Sequence, residues 1–360
     1  MKFLYPFLFA SILLINLISC NNDINVAAPY KDIPLIYGKL NASDSIQYIR
    51  IQKGFLSNTT DATVLAKFKD SIYYPEKALV VVLTNAKGDF RDTLKRVNGN
   101  DYGIFKDSGI FYNQENILYR CDKKLSNLTN YTISCYNVIA NTNFSATSNT
   151  IGEFDIISPN TIPPINNPPT IYFAKDSFGT YQNFQMTIRK KLANDNDDWN
   201  QYSFGVDILL SYDEWNVNNP SVVTTKKLVW KAFNFQTIAV SSKLVDIKIN
   251  GSTLFSSFSN IKKDKNIVRK MNPSANIIVK IANSYYTQFL NTRNVQSGSI
   301  SSDEALPIYT NVKNGIGLLY GDVAKEHPVF ILSPALINYV ACDNSTIDYN
   351  FFNATGKLCR

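Results

Sequence analysis

The chain predicts a mainly β protein: a β-sandwich, then a second antiparallel β-rich domain carrying a few short helices. Three observations lead there. Short alternating or β-branched runs recur from Ile33 onward, divided by Asn, Gly, Asp and Ser, as expected of half-buried strands joined by turns. Length is the second: past its first twenty residues the chain has about 340, beyond a typical single domain of roughly 100–200. The third is Ile157–Thr170, with five prolines in fourteen residues and neither helical nor strand periodicity. Such a stretch is a stiff, extended linker.

Each element follows from its local pattern. Ser45–Phe55 and Lys77–Phe90 alternate as strands, and Asn85-Ala86-Lys87-Gly88-Asp89-Phe90 reads as a hairpin turn. Asn116–Lys124 and Asn130–Phe154 supply the closing strands of a first domain over residues 33–156. Beyond the linker at 157–170, a β-rich domain spans 171–325. Asn183–Leu192, Tyr202–Trp215, Lys226–Phe235 and Leu244–Ile249 read there as antiparallel strands. Gly251–Lys263 predicts a short helix, and Ser284–Asn294 predicts another with Ser284 as N-cap. His327–Arg360 follows as an apolar segment and a cysteine-closed loop, a unit over 326–360.

The first residues have a different texture. Lys2 precedes a run from Phe3 to Ser19 that is apolar except for Tyr5, Ser11, Asn16 and Ser19. A charged start and a short apolar core make a secretory signal over residues 1–19. The run is too short for a comfortable membrane span and contains Pro6. It ends Leu17-Ile18-Ser19-Cys20, which resembles a bacterial lipobox. In such signals the Cys thiol, uniquely easy to alkylate, receives diacylglycerol, and cleavage precedes it. Cys20 is therefore expected to be the lipidated first residue of the mature chain, joined to the folded body by a polar tether over 20–32. Each buried CH₂ of the acyl chains contributes about 0.8 kcal/mol to membrane binding.

Net charge falls from +7 to +6 once Lys2 is removed, and the basic residues are dispersed. That is a solvated surface and not a nucleic-acid footprint. Discounting Cys20 leaves Cys121, Cys135, Cys342 and Cys359, an even number suited to an oxidising envelope. Of three pairings, Cys121–Cys135 and Cys342–Cys359 close the shortest loops, each contributing about 3 kcal/mol. Zinc is excluded by spacing: no CxxC occurs and there is one histidine.

Chemistry-bearing constellations are sparse. His327, the only histidine, precedes Pro328 and is expected in a surface loop; no Gly-x-Ser-x-Gly elbow accompanies it. Asp213 and Glu214 beside Trp215 are the carboxylates closest to a glycosidase pair, yet neighbours on a strand point to opposite faces. Asp195, Asp197 and Asp198 crowd Trp199 and are weak calcium ligands, because the EF-hand pattern is not met. Trp199, Trp215 and the Tyr pairs Tyr73-Tyr74 and Tyr285-Tyr286 are the aromatic candidates for holding a ligand. No cofactor motif is present, and the chain is expected to be non-enzymatic.

Several pieces together resemble an uncharacterised family of Bacteroidota outer-membrane lipoproteins. They are the lipobox Cys20, the hairpin Val80–Phe90 followed by Tyr102–Phe105, the strands Leu209–Trp215 and Leu228–Phe233, the strand-to-helix unit Val279–Asn291, and Ile308–Gly321. The last carries Asn311, then Asn314-Gly315-Ile316-Gly317 and the pair Leu318-Leu319. The resemblance implies an immunoglobulin-like N-terminal domain, a β-rich C-terminal one, and proximity to a TonB-dependent outer-membrane receptor. It supplies no catalytic residues. Physically, Gly315 and Gly317 permit positive φ or a bulge, and the apolar residues around them make a buried strand.

Overall fold

The computed structural model describes residues 33–55, 61–159, 170–171, 180–191, 199–240, 243–298 and 309–359. The N-terminal half contains β1 (Pro34–Leu40), β2 (Gln47–Lys53), α1 (Ala62–Leu65), α2 (Lys69–Ile72), β3 (Leu79–Asn85), β4 (Arg91–Thr93), β5 (Lys95–Asn98), β6 (Ile117–Cys121), β7 (Asn130–Asn137), β8 (Thr142–Asn149) and β9 (Phe154–Ser158). Next come β10 (Thr170–Ile171), β11 (Asn183–Lys190), β12 (Ser203–Asn216), β13 (Asn219–Thr237), β14 (Leu244–Asn250), β15 (Ile267–Met271) and β16 (Ser274–Ala282). The chain closes with α3 (Ser284–Gly298), β17 (Val312–Lys313), β18 (Ile316–Leu332) and α4 (Pro334–Cys342). The class is mainly β with several antiparallel sheets and a few short helices, as the strand texture predicts.

One long sheet organises the fold, in the order β13-β12-β16-β18-β1-β2-β6-β5. A five-stranded sheet, β17-β8-β7-β3-β4, and a three-stranded sheet, β14-β11-β9, accompany it. Two large apolar cores result among the described residues. Ile36, Ile49 and Ile51 of the long sheet meet Val81, Leu83, Ile133 and Phe144 of the five-stranded sheet. Farther along, Phe204, Val206, Ile277, Val279 and Ile281 meet Met186, Ile188, Val245 and Ile247.

The two cores are not carried by separate stretches of chain. β18 pairs in parallel with β1, Leu35 opposite Ile316 through Leu40 opposite Gly321. Its Leu319 belongs to the first core and Val323, on the same face, to the second. The predicted boundary at 325/326 therefore falls inside one strand, and the first sandwich needs Val312 and Leu319 from the C-terminal half to close. Most of the Pro-rich stretch lies outside the described residues.

Glycine makes the crossing possible. A Cβ on Gly317, whose φ is +131°, would sit 1.9 Å from the Ile36 carbonyl oxygen, and one on Gly321 would sit 2.0 Å from that of Asn149. Backbone occupies both places, so only glycine fits. Asn311 clamps the same strand: its side-chain carbonyl accepts from Leu319 N–H (2.9 Å) and its amide donates to Leu319 O (2.6 Å). The Asn311–Gly321 part of the motif is thus structural.

Locally predicted elements appear in modified form. The turn after β3 has Gly88 at φ +79°, with the Asn85 side chain accepting from Phe90 N–H (3.1 Å). Gly251–Asn260 is a 3-10 helix capped by Asn250, whose side chain accepts from Ser252 N–H (2.9 Å). α3 begins at Ser284, so Asn283 and not Ser284 stands before the first helical residue. Its side chain turns away to Ser148 Oγ (2.9 Å) and Asn149 O (3.0 Å), tying the helix to the end of β8.

Candidate functional site

The residues singled out by sequence are scattered, and most do structural work. Trp199 is buried in the second core against Phe204, with ring centroids 5.8 Å apart; it is not an exposed platform. Its position after a run of polar residues in the sequence hid this, since only the facing sheets bury it. Asp195, Asp197 and Asp198 lie outside the described residues. Trp215 is half-buried at the end of β12 and stacks on Phe352 at 5.6 Å and 14°. Tyr73 and Tyr74 are both buried, so that pair exposes no ring. His327 is in β18 opposite Ile277, 9% exposed, edge-on to Phe330 at 5.1 Å. The expected surface loop is a strand, because the extended backbone that Pro328 favours continues the pairing with β16.

Asp213 and Glu214 diverge as the strand geometry requires. Asp213 accepts from Thr225 Oγ1 (2.7 Å), and Glu214 meets the buried Arg269 guanidinium (3.2 Å). Arg269 also donates to Tyr349 O (2.7 Å) and Lys262 O (2.9 Å). Asp213 thus ties β12 to β13, while Arg269 ties β15 to β12, to Lys262 and, through Tyr349 O, to the C-terminal segment.

Cysteine pairing is half as predicted. Cys342 at the end of α4 is joined to Cys359, with Cα atoms 5.1 Å apart. Cys121 and Cys135 are buried and free, which corrects the expected second bridge. Their strands β6 and β7 belong to different sheets. Close along the chain, the two enter the shared core from different sheets, and their sulfurs are not bonded. Burial pushes the Cys121 thiol up to about 12, helped by Asp92, and raises Cys135 as well.

Two surfaces offer polar chemistry that sequence reasoning missed. The first is the face of the long sheet opposite the cores, where α3 lies. Lys280 pairs with Asp207 and Lys39 with Asp322 (3.2 Å), so opposite charges alternate across β1, β18, β16 and β12. Tyr286 of α3 packs on Tyr320 (4.7 Å) and Phe235 (5.1 Å) beside them. Burial raises the Asp322 carboxyl above its ordinary range although Lys39 opposes the shift. Each carboxylate has a lysine partner, which makes this an ion-pair ladder. Alternation with Leu319 and Val323 was the available signal, but not which strands would adjoin.

The second is the open face of the five-stranded sheet. A shallow depression of about 520 Å³ is lined by Val80, Arg91, Ser134, Tyr136, Asn143 and Lys313. It meets another of about 610 Å³ at Asn143, Phe144 and Asn314. Tyr136 donates its hydroxyl to Asn141 Oδ1 (3.0 Å) and leaves its ring exposed. Arg91 and Lys313 make the lining positive. A shallow polar floor with an aromatic face suits an extended polar ligand and offers no converging carboxylates. Among the described residues no group of three or more His, Cys, Asp or Glu could hold a metal ion, and no helix is long and apolar enough to cross a membrane.

No family model matches this chain, and no curated protein matches it in sequence.

Proposed function

We propose that this chain is an outer-membrane-anchored lipoprotein, a non-enzymatic binding or accessory component working beside a TonB-dependent transporter. The observation that carries the reading is Leu17-Ile18-Ser19-Cys20 at the end of a short apolar run headed by Lys2. Lipidation of Cys20 would fix the compartment and leave a β-rich body on a short tether. The resemblance to Bacteroidota lipoproteins, with their immunoglobulin-like first domain, supports the transporter association. The structural roles of Glu214 and Trp199 remove two of the residues a hydrolase or an aromatic site would have used. Mass spectrometry of the N-terminal peptide tests the anchor, and cross-linked purification from solubilised outer membrane tests the partner. Recovery as a lone monomer without any receptor would count against the accessory role.

A second reading, a surface glycan- or peptide-binding lipoprotein, is favoured by the depression around Tyr136, Arg91 and Lys313. Binding on a glycan or peptide array that Tyr136→Ala abolishes would support it; a flat array would end it.

A further inference from the structure

We infer that the end of the long sheet from which Ile33 projects is a bilayer-docking surface. Val64, Phe68, Phe105, Ile110 and Phe111 seat it at the headgroup–acyl boundary of the membrane that holds Cys20. The inference rests on the lipid-anchor reading above.

The loop between β5 and β6 is the centre of this surface. It is fixed by its own hydrogen bonds: Ile104 N–H donates to Gly99 O (2.9 Å), the Asn100 amide to Gln114 O (2.8 Å) and the Asn116 amide to Ile104 O (2.9 Å). Lys106 donates to Tyr112 O, and Tyr112 N–H donates to Ala66 O (2.7 Å), which joins the loop to α1. Beneath it lies a small separate core of Ile72, Tyr73 and Ile117 with Phe55 and Tyr112. A loop so held could turn its apolar residues inward, yet Phe105 is 71% exposed, Ile110 56% and Phe111 52%. Phe68 at 57% and Val64 at 43% extend the patch from α1 and α2. Large apolar side chains gathered on one ordered surface mark an interaction site.

Topology says what covers it. Gly54 N–H donates to Ile33 O (2.8 Å), Pro34 pairs with Lys53, Leu35 with Ile316, and Asn98 with Ile117. Ile33, Phe55, the loop 99–116 and α1–α2 therefore occupy the same end of the sheet. Twelve residues separate Cys20 from Ile33. Fully extended they reach about 45 Å, and as a flexible chain they average about 20 Å. β18 begins at this end and runs seventeen residues away from it, roughly 55 Å at strand rise. A lipid on Cys20 thus holds the Phe105–Phe111 end at the bilayer and keeps the far end away. Tethering makes insertion intramolecular, so a few side chains suffice where they would not from solution. The nearby charges are mixed, with Lys67, Lys69 and Lys106 against Asp70, Asp107 and Glu115 and with Lys69 paired to Glu115. Apolar insertion, not recognition of anionic headgroups, is the contact this chemistry makes.

The full lipidated chain, reconstituted on phosphatidylethanolamine–phosphatidylglycerol vesicles containing doxyl-labelled lipid, tests this. Phe111→Trp should be quenched several-fold more than Val222→Trp, an exposed control on β13 at the far end of the sheet. Adding Phe105→Asp should remove the difference, while raised salt should leave it unchanged. Equal quenching at both positions overturns the proposal. Protection of residues 99–116 in native outer membrane but not on vesicles also overturns it, assigning the surface to a protein partner. The mass of the Cys20 peptide separates the two readings. A lipidated chain without selective quenching refutes docking alone; an unlipidated Cys20 refutes both.

Discussion

Replacing Arg269 by methionine should release the C-terminal segment from the second core. Arg269 is 3% exposed, and its guanidinium serves Glu214, Tyr349 O and Lys262 O at once. Methionine keeps the apolar stem in place but leaves the buried Tyr349 carbonyl without this donor, costing about 1–3 kcal/mol, and frees the more exposed Lys262 carbonyl at smaller cost. Glu214 would retain Lys226 at 3.7 Å. With Glu214 still paired and partly exposed, the lost donors set the cost, and a loss of about 2–3 kcal/mol is expected. Glu214→Gln keeps an acceptor for Arg269 but leaves the 3% exposed guanidinium without its counter-charge, so it too should cost about 3 kcal/mol or more. The Cys342–Cys359 bridge, separation 17, restrains the same segment and contributes about 3 kcal/mol in the loop-entropy picture. A cycle combining Arg269→Met with Cys342→Ser/Cys359→Ser should therefore be non-additive, as expected when two restraints act on one segment. Urea unfolding followed by tryptophan fluorescence, with limited proteolysis of residues 343–359, reads both. A loss below about 1 kcal/mol for Arg269→Met, the size of an ordinary substitution, would refute the reasoning; so would an equally small Glu214→Gln effect.

Gly317→Ala and Gly321→Ala should each abolish soluble folding or lower stability by about 3 kcal/mol or more, because the new Cβ meets backbone at 1.9 and 2.0 Å. Gly88→Ala, at φ +79° in open space, should cost only about 1–2 kcal/mol, and equal losses at all three would contradict the close-approach argument. Since only the thiolate reacts, the native protein at mildly alkaline pH should take up no alkyl group at Cys121 or Cys135, and two after denaturation, as read by intact mass. Rapid native labelling would show that the first core does not bury them. Asp322 has a raised folded pKa whose largest cause is burial, so its ionisation opposes folding: stability is gained as pH falls through the folded value and lost as pH rises through it. Asp322→Asn should accordingly gain on the wild type between acid and neutral pH in chemical denaturation, and a difference constant with pH would exclude the effect.

Much of the secondary structure was legible because it is written in nearest-neighbour chemistry. Alternation in Lys77–Phe90 places Val81 and Leu83 inward, and Asn85 and Gly88 meet the demands of the turn. The strand-to-helix unit at Val279–Asn291 was legible too, although its cap position shifted by one residue. The candidate site was far less legible. Trp199 and His327 read as surface residues beside polar or proline signals, and Tyr73-Tyr74 as a pair that could expose one ring, yet all of them are buried. The patch at Phe105–Phe111 carried no local signal either, since an exposed phenylalanine and a core phenylalanine look alike in sequence.

Sequence alone determined the strand content, the resemblance of Leu17–Cys20 to a lipobox, the local Cys342–Cys359 closure and the divergence of Asp213 from Glu214. These depend on spacing over a few residues. Tertiary structure decided the rest: that β18 joins β1 about 280 residues away, and that Cys121 and Cys135 sit in opposing sheets. It also decided that two cores share one strand, and that the exposed aromatics gather where Ile33 projects. The physical reason is that alternation sets which way a side chain points, while its neighbour is set by sheet order. Sheet order is chosen by how apolar faces far apart in the chain pack together, and no single segment records that choice.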